Sequence, residues 1–144
     1  MSALEPLCSE VRTDARTGLF KLGNVQHLHT PVRARLKHMA SIIDLAERVH
    51  PTPAVGGYPK KRALDYIDRT EFVERGWYAG PVGWVGPDGD GEFAVAIRSA
   101  LISGDRASLF AGCGIVEGSD PEAEYKESLL KLRPMLRTLE RARR

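Results

Sequence analysis

The chain has 144 residues, of which 42% are hydrophobic and 28% are charged, and its formal net charge at pH 7 is +2. This length and composition predict one globular domain over residues 1–144 and exclude the disordered and fibrous classes. The small net charge argues against a nucleic-acid partner. No apolar run predicts a membrane span and no N-terminal pattern predicts a signal peptide, so the expected compartment is the cytoplasm. The two cysteines, Cys8 and Cys113, lack metal-ligand spacing and do not make a disulfide framework.

The N-terminal part of the chain carries few structural signals. Residues 1–18 show little periodicity and are predicted to be a poorly defined N-terminal segment, whereas residues 19–32 predict one or two extended segments. If residues 25–30 are extended, His27 and His29 project from the same face of the strand. Two such histidines can bind zinc, but no third ligand lies nearby in the sequence.

Two helices are predicted on either side of a proline-rich loop. The first covers residues 41–49, with Ser41 and Asp44 in capping positions. It ends at the motif HPTPAVGGYP (50–59), since neither Pro51 nor Pro53 can continue it. The second begins at Pro59 and ends near residue 69 or 74. The loop between them is either plain architecture or a cradle for a carboxylate, built from exposed backbone amides of residues 54–57.

Residues 77–116 predict an antiparallel meander of three strands, 77–85, 92–102 and 106–116, because the connections carry Asp-Gly and Gly-Asp turns. In the middle strand, Arg98 shares a face with small alanines. An arginine in a central strand needs an anion. That anion is either a carboxylate of the protein, in a structural salt bridge, or a carboxylate of a ligand held in a bidentate pair.

The last strand and the closing helix contain the densest set of candidate site residues. Gly112 and Gly114 fall on one face of the strand, which indicates either a bulge or a close approach by another group. Residues 119–122 combine a capping-box pattern with a proline in the first helical turn, and they predict a helix over 121–143 with a bend or break near residues 130–134, before Pro134. Glu124, Glu127 and Lys131 form one stripe on that helix. Such a stripe either serves the helix dipole and solubility or binds an anionic, metal-bound ligand. The predicted fold is α+β, an antiparallel β-meander packed against helices.

Five stretches carry a resemblance to a known family, and they are NVQHLHTPV (24–32), HPTPAVGGYP (50–59), RGWYAGPVGW (75–84), GDGEFAVAIRSAL (89–101) and AGCGIVEGSDPEAEYKESLLKL (111–132). In order and spacing the chain resembles the chorismate-utilising enzymes, and most closely their isochorismate synthase branch. The histidine-proline loop is similar to that branch, whereas anthranilate synthases tend to have a glycine-rich, Ala-Pro-Lys version there. The resemblance implies a partial version of the chorismate-utilising enzyme fold.

The activity implied by the resemblance is a Mg²⁺-dependent isomerisation of chorismate to isochorismate, in siderophore or menaquinone biosynthesis. Water adds to C2 of chorismate while the C4 hydroxyl leaves. The resemblance places the following residues at the substrate: His27, Ala54, Val55, Tyr78, Ile97, Arg98, Phe110, Gly112 and Lys131. Among these, Arg98, the Gly112 backbone and Lys131 would bind carboxylates. Glu127 resembles a direct Mg²⁺ ligand, and Glu124 resembles a second one, bound directly or through water.

The resemblance covers only the C-terminal portion of much longer family members. The lysine that activates water, the glutamate that protonates the leaving hydroxyl and a further metal-binding glutamate lie upstream in the family. We therefore expect no confidently assigned catalytic residue in this chain. One hypothesis is that a complementary N-terminal half supplies these groups. The alternatives are a non-catalytic, truncated chorismate-binding fragment and a member that makes salicylate or anthranilate.

Overall fold

The computed structural model of the protein describes residues 3–21 and 26–142. Its elements, in chain order, are β1 (Cys8–Thr13), β2 (Gly18–Lys21), β3 (Gln26–His29), β4 (Val32–Leu36), α1 (Ile42–Val49), α2 (Pro53–Gly56), α3 (Lys60–Thr70), β5 (Pro81–Val85), β6 (Gly91–Val95), β7 (Ser99–Ser103), β8 (Arg106–Phe110) and α4 (Pro121–Ala142). Two-stranded sheets pair β1 with β4, β2 with β3, β5 with β6, and β7 with β8. The predicted mixed class of helices and antiparallel strands is confirmed.

The chain divides by its internal contacts into two compact units. The first consists of Met1–Val49 and Val85–Glu92, and the second of His50–Trp84 and Phe93–Arg144. That the whole length is one domain therefore stays a prediction.

In the first unit, β1 lies inside the segment for which the sequence predicted no element. It pairs antiparallel with β4, with Cys8 opposite Leu36, and the register shifts between Ser9 and Arg12. Glu10, at the shift, has a φ of 52°, so the irregularity is a β-bulge that hides the alternating pattern of this strand.

The β2–β3 hairpin places Phe20 opposite His27. Residues 22–25, which belong to the predicted extended region, lie outside the described residues. Helix α1 begins with the predicted cap: the backbone N–H and the hydroxyl of Ser41 each donate to Asp44 Oδ2 at 2.8 Å, and the Asp44 N–H donates to Ser41 Oγ at 3.1 Å.

In the second unit, the proline-rich segment forms a short helix, α2, where the sequence predicted an irregular loop. The N–H groups of Val55 and Gly56 both donate to the Thr52 carbonyl, at 3.0 and 2.8 Å, and the Gly57 N–H donates to the Pro53 carbonyl at 3.0 Å. Since the amides of residues 55–57 already have partners, the structure favours plain architecture over the cradle for these three residues. Helix α3 confirms the second predicted helix.

The three-stranded meander was wrong in its middle strand, which is two strands, β6 and β7. Between them, the Ala79 N–H donates to the Ala96 carbonyl and the Ala96 N–H donates to the Gly80 carbonyl, both at 2.8 Å. Arg98 then has a φ of 52°, which extended backbone does not allow. Arg98 therefore does not sit inside a central strand.

The last strand is shorter than predicted. It ends at Phe110, and residues 111–116 have no regular structure. The expectation that Gly112 and Gly114 share one strand face is therefore wrong. The chain leaves the sheet before the first of them.

Helix α4 begins where the sequence predicted, but with a different cap. The Ala123 N–H donates to Asp120 Oδ1 at 2.8 Å, so Asp120 is the capping residue and the pattern of Ser119 with Glu122 forms no box. The helix continues through Pro134 to Ala142, so the predicted break is wrong, whereas the alternative of a bend stays a prediction. A proline removes one N–H donor from the helix, and here the helix is continuous on both sides of Pro134.

Few apolar side chains are buried in the part of the chain that the structure describes. Cys8 and Ala79, 6% and 5% exposed, are its only buried hydrophobic residues. On α4, the apolar side chains of Tyr125, Leu129 and Leu136 are 63%, 40% and 42% exposed. Over the same residues, the helices are all too short or too polar to cross a membrane.

Candidate functional site

The second unit contains an open cavity of about 780 Å³, which is lined in part by Ala54, Val55, Tyr78, Phe110 and Gly112. These five residues come from α2, from the segment before β5, and from the end of β8 and its continuation. The resemblance placed all five at the substrate, and the fold brings them to one cavity. Its volume is in the range of small-molecule sites.

Arg75 fixes one wall of this cavity. Its Nη1 donates to the Val55 carbonyl at 2.7 Å, while Nε and Nη2 donate to the two carboxylate oxygens of Glu71 at 2.7 and 2.5 Å. The hydrogen bond from the guanidinium lowers the pKa of Glu71, against the opposing effect of burial. Because one planar fork binds both partners, α2 is tied to the end of α3.

Another part of the cavity lining is an aromatic pair beside a glycine. The rings of Tyr78 and Phe110 stack with centroids 5.7 Å apart and planes 22° apart. A Cβ at Gly112 would lie 3.1 Å from the Tyr78 hydroxyl, so the absence of a side chain lets the phenol approach the backbone. Burial raises the pKa of Tyr78, although the positive charges of Arg75 and Lys131 act in the opposite direction. The phenol therefore stays a neutral donor.

The acidic stripe of α4 meets the backbone of the same cavity. Lys131 Nζ donates to the Gly112 carbonyl at 3.0 Å and pairs with Glu127 Oε1 at 2.8 Å. One turn earlier, Glu124 Oε1 accepts a hydrogen bond from Ser119 Oγ at 2.8 Å. Lys131 thus contacts both Gly112 and Glu127, as expected if the three residues form one site.

Cys113 also belongs to this group. Its Sγ donates to the Glu124 carbonyl at 3.2 Å and lies 3.5 Å from Lys131 Nζ. Ligand atoms of Cys113, Glu124 and Glu127 lie within 4.8 Å of one another. Burial raises the pKa of the thiol, although the ammonium acts against it. Cys113 lies beyond the end of β8, in the irregular segment that leads to α4.

The ion pair on α4 shifts the pKa values of both of its members. The hydrogen bond and charge of Lys131 lower the pKa of Glu127. Burial alone would lower the pKa of Lys131, but the hydrogen bond to Glu127 and the interaction with Cys113 outweigh it and raise this pKa. Both groups are therefore charged at neutral pH.

The donor set of this site fits Mg²⁺. Glu124 and Glu127 offer the hard carboxylate oxygens that Mg²⁺ requires, and the neutral thiol of Cys113 does not compete for a hard cation. The Lys131 ammonium, held by the Glu127 carboxylate and a backbone carbonyl, shows that this position accepts positive charge.

Four residues that the resemblance placed at the substrate are not among those that line the cavity. One of them, Lys131, reaches the cavity through its hydrogen bond to the Gly112 carbonyl. His27 lies on β3 in the first unit. Ile97 and Arg98 lie in the segment between β6 and β7, and Ile97 is 47% exposed. Within residues 3–21 and 26–142, neither His27 nor His29 joins a group of three metal ligands, so the structure adds no support to a zinc site.

Sequence reasoning missed Glu71, Arg75, Cys113 and Ser119. Glu71 and Arg75 stand four residues apart, a spacing typical of helical ion pairs, but the pair lies just beyond the end of α3. Nothing in the sequence indicates that Arg75 reaches Val55, twenty residues earlier. The irregular chain after β8 brings Cys113 and Ser119 to Glu124, and no periodic pattern signals such a path.

Comparison with known proteins gives one consistent result. The family model for chorismate binding enzymes matches residues 1–140. Isochorismate synthase MenF of Bacillus subtilis is 53% identical over 137 residues, which are 95% of this chain and 29% of that protein. The salicylate biosynthesis isochorismate synthase of Pseudomonas aeruginosa is 51% identical over 138 residues, 96% of this chain and 29% of that protein.

A solved structure agrees with these sequences. The crystal structure of a Bacillus anthracis protein assigned as the 2,3-dihydroxybenzoate-specific isochorismate synthase DhbC matches with a TM-score of 0.91 at 36% identity. The match covers 96% of this chain and 37% of that one. The chain thus spans 29% to 37% of the length of these relatives. This chain belongs to the family of chorismate binding enzymes.

Proposed function

We propose that this chain supplies the metal- and carboxylate-binding part of an isochorismate synthase-type site, which converts chorismate to isochorismate with Mg²⁺. The observation that carries the proposal is the junction of Lys131 with Glu127 and the Gly112 carbonyl, beside the cavity of the second unit. It places a carboxylate suited to a cation and an ammonium suited to a substrate carboxylate next to one another. The names of the relatives support the same reaction.

In this proposal each group has a binding or orienting role. Glu127 and Glu124 hold the metal, and Lys131 pairs with a substrate carboxylate. Tyr78 and Phe110 form an apolar wall for the ring, and Arg75 keeps Val55 in place. Bound Mg²⁺ neutralises and orients a ligand carboxylate. His27, Ile97 and Arg98 remain proposed substrate contacts.

We propose further that turnover needs groups from a complementary region, of the kind that makes up the rest of the relatives' length. A general acid and a general base each contribute roughly 10²–10⁴-fold to a rate. We assign neither the general acid nor the general base to a residue that lines the cavity. The chain alone is therefore expected to bind without appreciable turnover.

The metal assignment is tested by calorimetric titration of chorismate into the chain, with and without Mg²⁺. Glu127→Ala is expected to abolish the Mg²⁺-dependent part of binding, because the ion loses a carboxylate oxygen. Glu122→Ala is the matched control, since Glu122 lies on the same helix and pairs with Lys126 at the same 2.8 Å. Equal Mg²⁺ dependence in both variants would contradict the assignment.

The need for a complementary region is tested by a chorismate turnover assay with product identification. The purified chain is assayed alone and mixed with the upstream region of the Bacillus subtilis relative. Isochorismate only in the mixture supports the proposal. Isochorismate from the chain alone would mean that it holds its own acid and base, and no product in either case would favour the non-catalytic alternative.

A further inference from the structure

The Lys131 ammonium occupies the position of a cation in the site on α4. Its Nζ has three contacts, with Glu127 Oε1 at 2.8 Å, the Gly112 carbonyl at 3.0 Å and Cys113 Sγ at 3.5 Å. Glu127 and Cys113 are also two of the three residues whose ligand atoms cluster within 4.8 Å. The Glu127 carboxylate, which could ligate the metal, therefore already binds a positive charge.

A second pair on the same helix shows that this arrangement is not ordinary helix-surface pairing. Lys126 and Glu122 have the same four-residue spacing and the same 2.8 Å distance, but their side chains are 68% and 75% exposed. The Lys131 side chain is only 20% exposed and that of Glu127 is 57% exposed. Water screens an exposed pair and leaves it weak, whereas Lys131 is held by several partners with little access to water.

A divalent cation and this ammonium cannot both keep the Glu127 oxygen at close range. Two positive charges a few ångströms apart repel strongly where water is partly excluded. The ammonium stands on a flexible stem of four carbons, so it can swing away from Glu127 when a metal arrives. Metal binding then has to overcome the existing ion pair.

We propose that the Lys131 ammonium is a built-in competitor of the divalent metal for Glu127, and that metal binding releases it to pair with a ligand carboxylate. The inference rests on the proposed function, in which Glu127 holds the metal. It predicts that metal and anionic ligand bind cooperatively, because the metal makes the ammonium available and the ligand keeps it away from Glu127.

The test is the affinity of the chain for Mn²⁺ alone, measured by electron paramagnetic resonance of the free ion. Lys131→Met is expected to bind Mn²⁺ about 3- to 10-fold more tightly than the wild type, because both the competing ion pair and the repulsion are lost. Lys131→Arg keeps the charge and is expected to stay close to the wild type. Lys126→Met is the matched control and is expected to leave the affinity unchanged.

Each outcome separates this inference from the proposed function. If a folded Lys131→Met variant binds Mn²⁺ no more tightly than Lys126→Met does, the inferred competition between Lys131 and the metal for Glu127 is wrong. The proposed metal site is not contradicted by that result. If neither the wild type nor Lys131→Met binds Mn²⁺, the metal site fails and the proposed function fails with it.

A second measurement observes the response of Lys131 itself in the wild-type chain. Reductive ¹³C-methylation of lysines keeps their charge, and the Lys131 resonance is identified by its loss in Lys131→Arg. Adding Mg²⁺ is expected to shift this resonance and to leave that of Lys126 in place. A Lys131 resonance that does not respond to saturating Mg²⁺ would overturn the proposal.

Discussion

Arg75→Met tests whether the guanidinium holds the cavity wall. The substitution keeps an unbranched apolar side chain but removes the donor to the Val55 carbonyl and both donors to Glu71. A hydrogen bond from a charged donor contributes about 1.5 kcal/mol at the low end of its range. The ion pair, with side chains 29% and 40% exposed, is discounted for solvent to about 0.5 kcal/mol.

The expected loss is therefore about 2 kcal/mol of unfolding free energy, or roughly 4–8 °C in melting temperature. Urea denaturation followed by circular dichroism measures it. Glu71→Gln removes the ion pair but leaves the bond to Val55, so it should cost about 0.5 kcal/mol. Lys126→Met, in an exposed pair, should cost less still.

The refuting result is specific. If Glu71→Gln destabilises the chain as much as Arg75→Met does, the bond to Val55 contributes nothing and Arg75 does not hold the wall. If Arg75→Met lowers the free energy of unfolding no more than Lys126→Met does, the hydrogen bonds and the ion pair of Arg75 do not stabilise the chain.

Three further predictions concern glycines and pH. Gly57→Ala should destabilise the chain by about 1–3 kcal/mol in urea denaturation, because φ is +73° and the new Cβ would lie 2.6 Å from the Cβ of Ala63; a neutral result would refute the packing there. Gly112→Ala should weaken chorismate binding in calorimetry without a comparable loss of stability, since its Cβ would displace the Tyr78 hydroxyl; equal affinity would refute the close approach. The pKa of Glu71 is held below its ordinary 4.5, so its stabilising contribution is present above pH 4.5 and is lost as pH falls through the folded pKa. Glu71→Gln should flatten the pH dependence of stability there, and an unchanged slope would contradict this.

The elements that the sequence predicted well are those with local signals. Ser41 and Asp44 are three residues apart and form the cap of α1 within that span. Pro121 marks the start of α4 because its missing N–H would have had no partner in the first turn. In both cases, the residues that determine the structure lie next to one another in the chain.

The predictions that were wrong failed because of contacts between residues that lie far apart in the sequence. The alternation of residues 93–101 matches one strand, but Ala96 pairs with Ala79 and Gly80, and this pairing breaks the strand. In the candidate site, too, the sequence predicted the local pattern but not the long-range contacts. The stripe of Glu124, Glu127 and Lys131 follows from helical periodicity, whereas the contacts of Lys131 with Gly112 and Cys113 depend on how the chain leaves β8.

In the proposed site, the geometry of α4 sets the spacing between the residue that holds the metal and the residue that binds the ligand carboxylate. Glu127 and Lys131 stand four residues apart on α4, a rise of about 6 Å that helical geometry fixes. The distance between the backbone positions that carry the metal ligand and the ammonium is therefore set by the helical rise, and no loop length can adjust it. Inserting one residue between them would turn Lys131 by about 100° around the axis. The spacing can change only in whole turns, which narrows the range of ligands that such a site can ever accept.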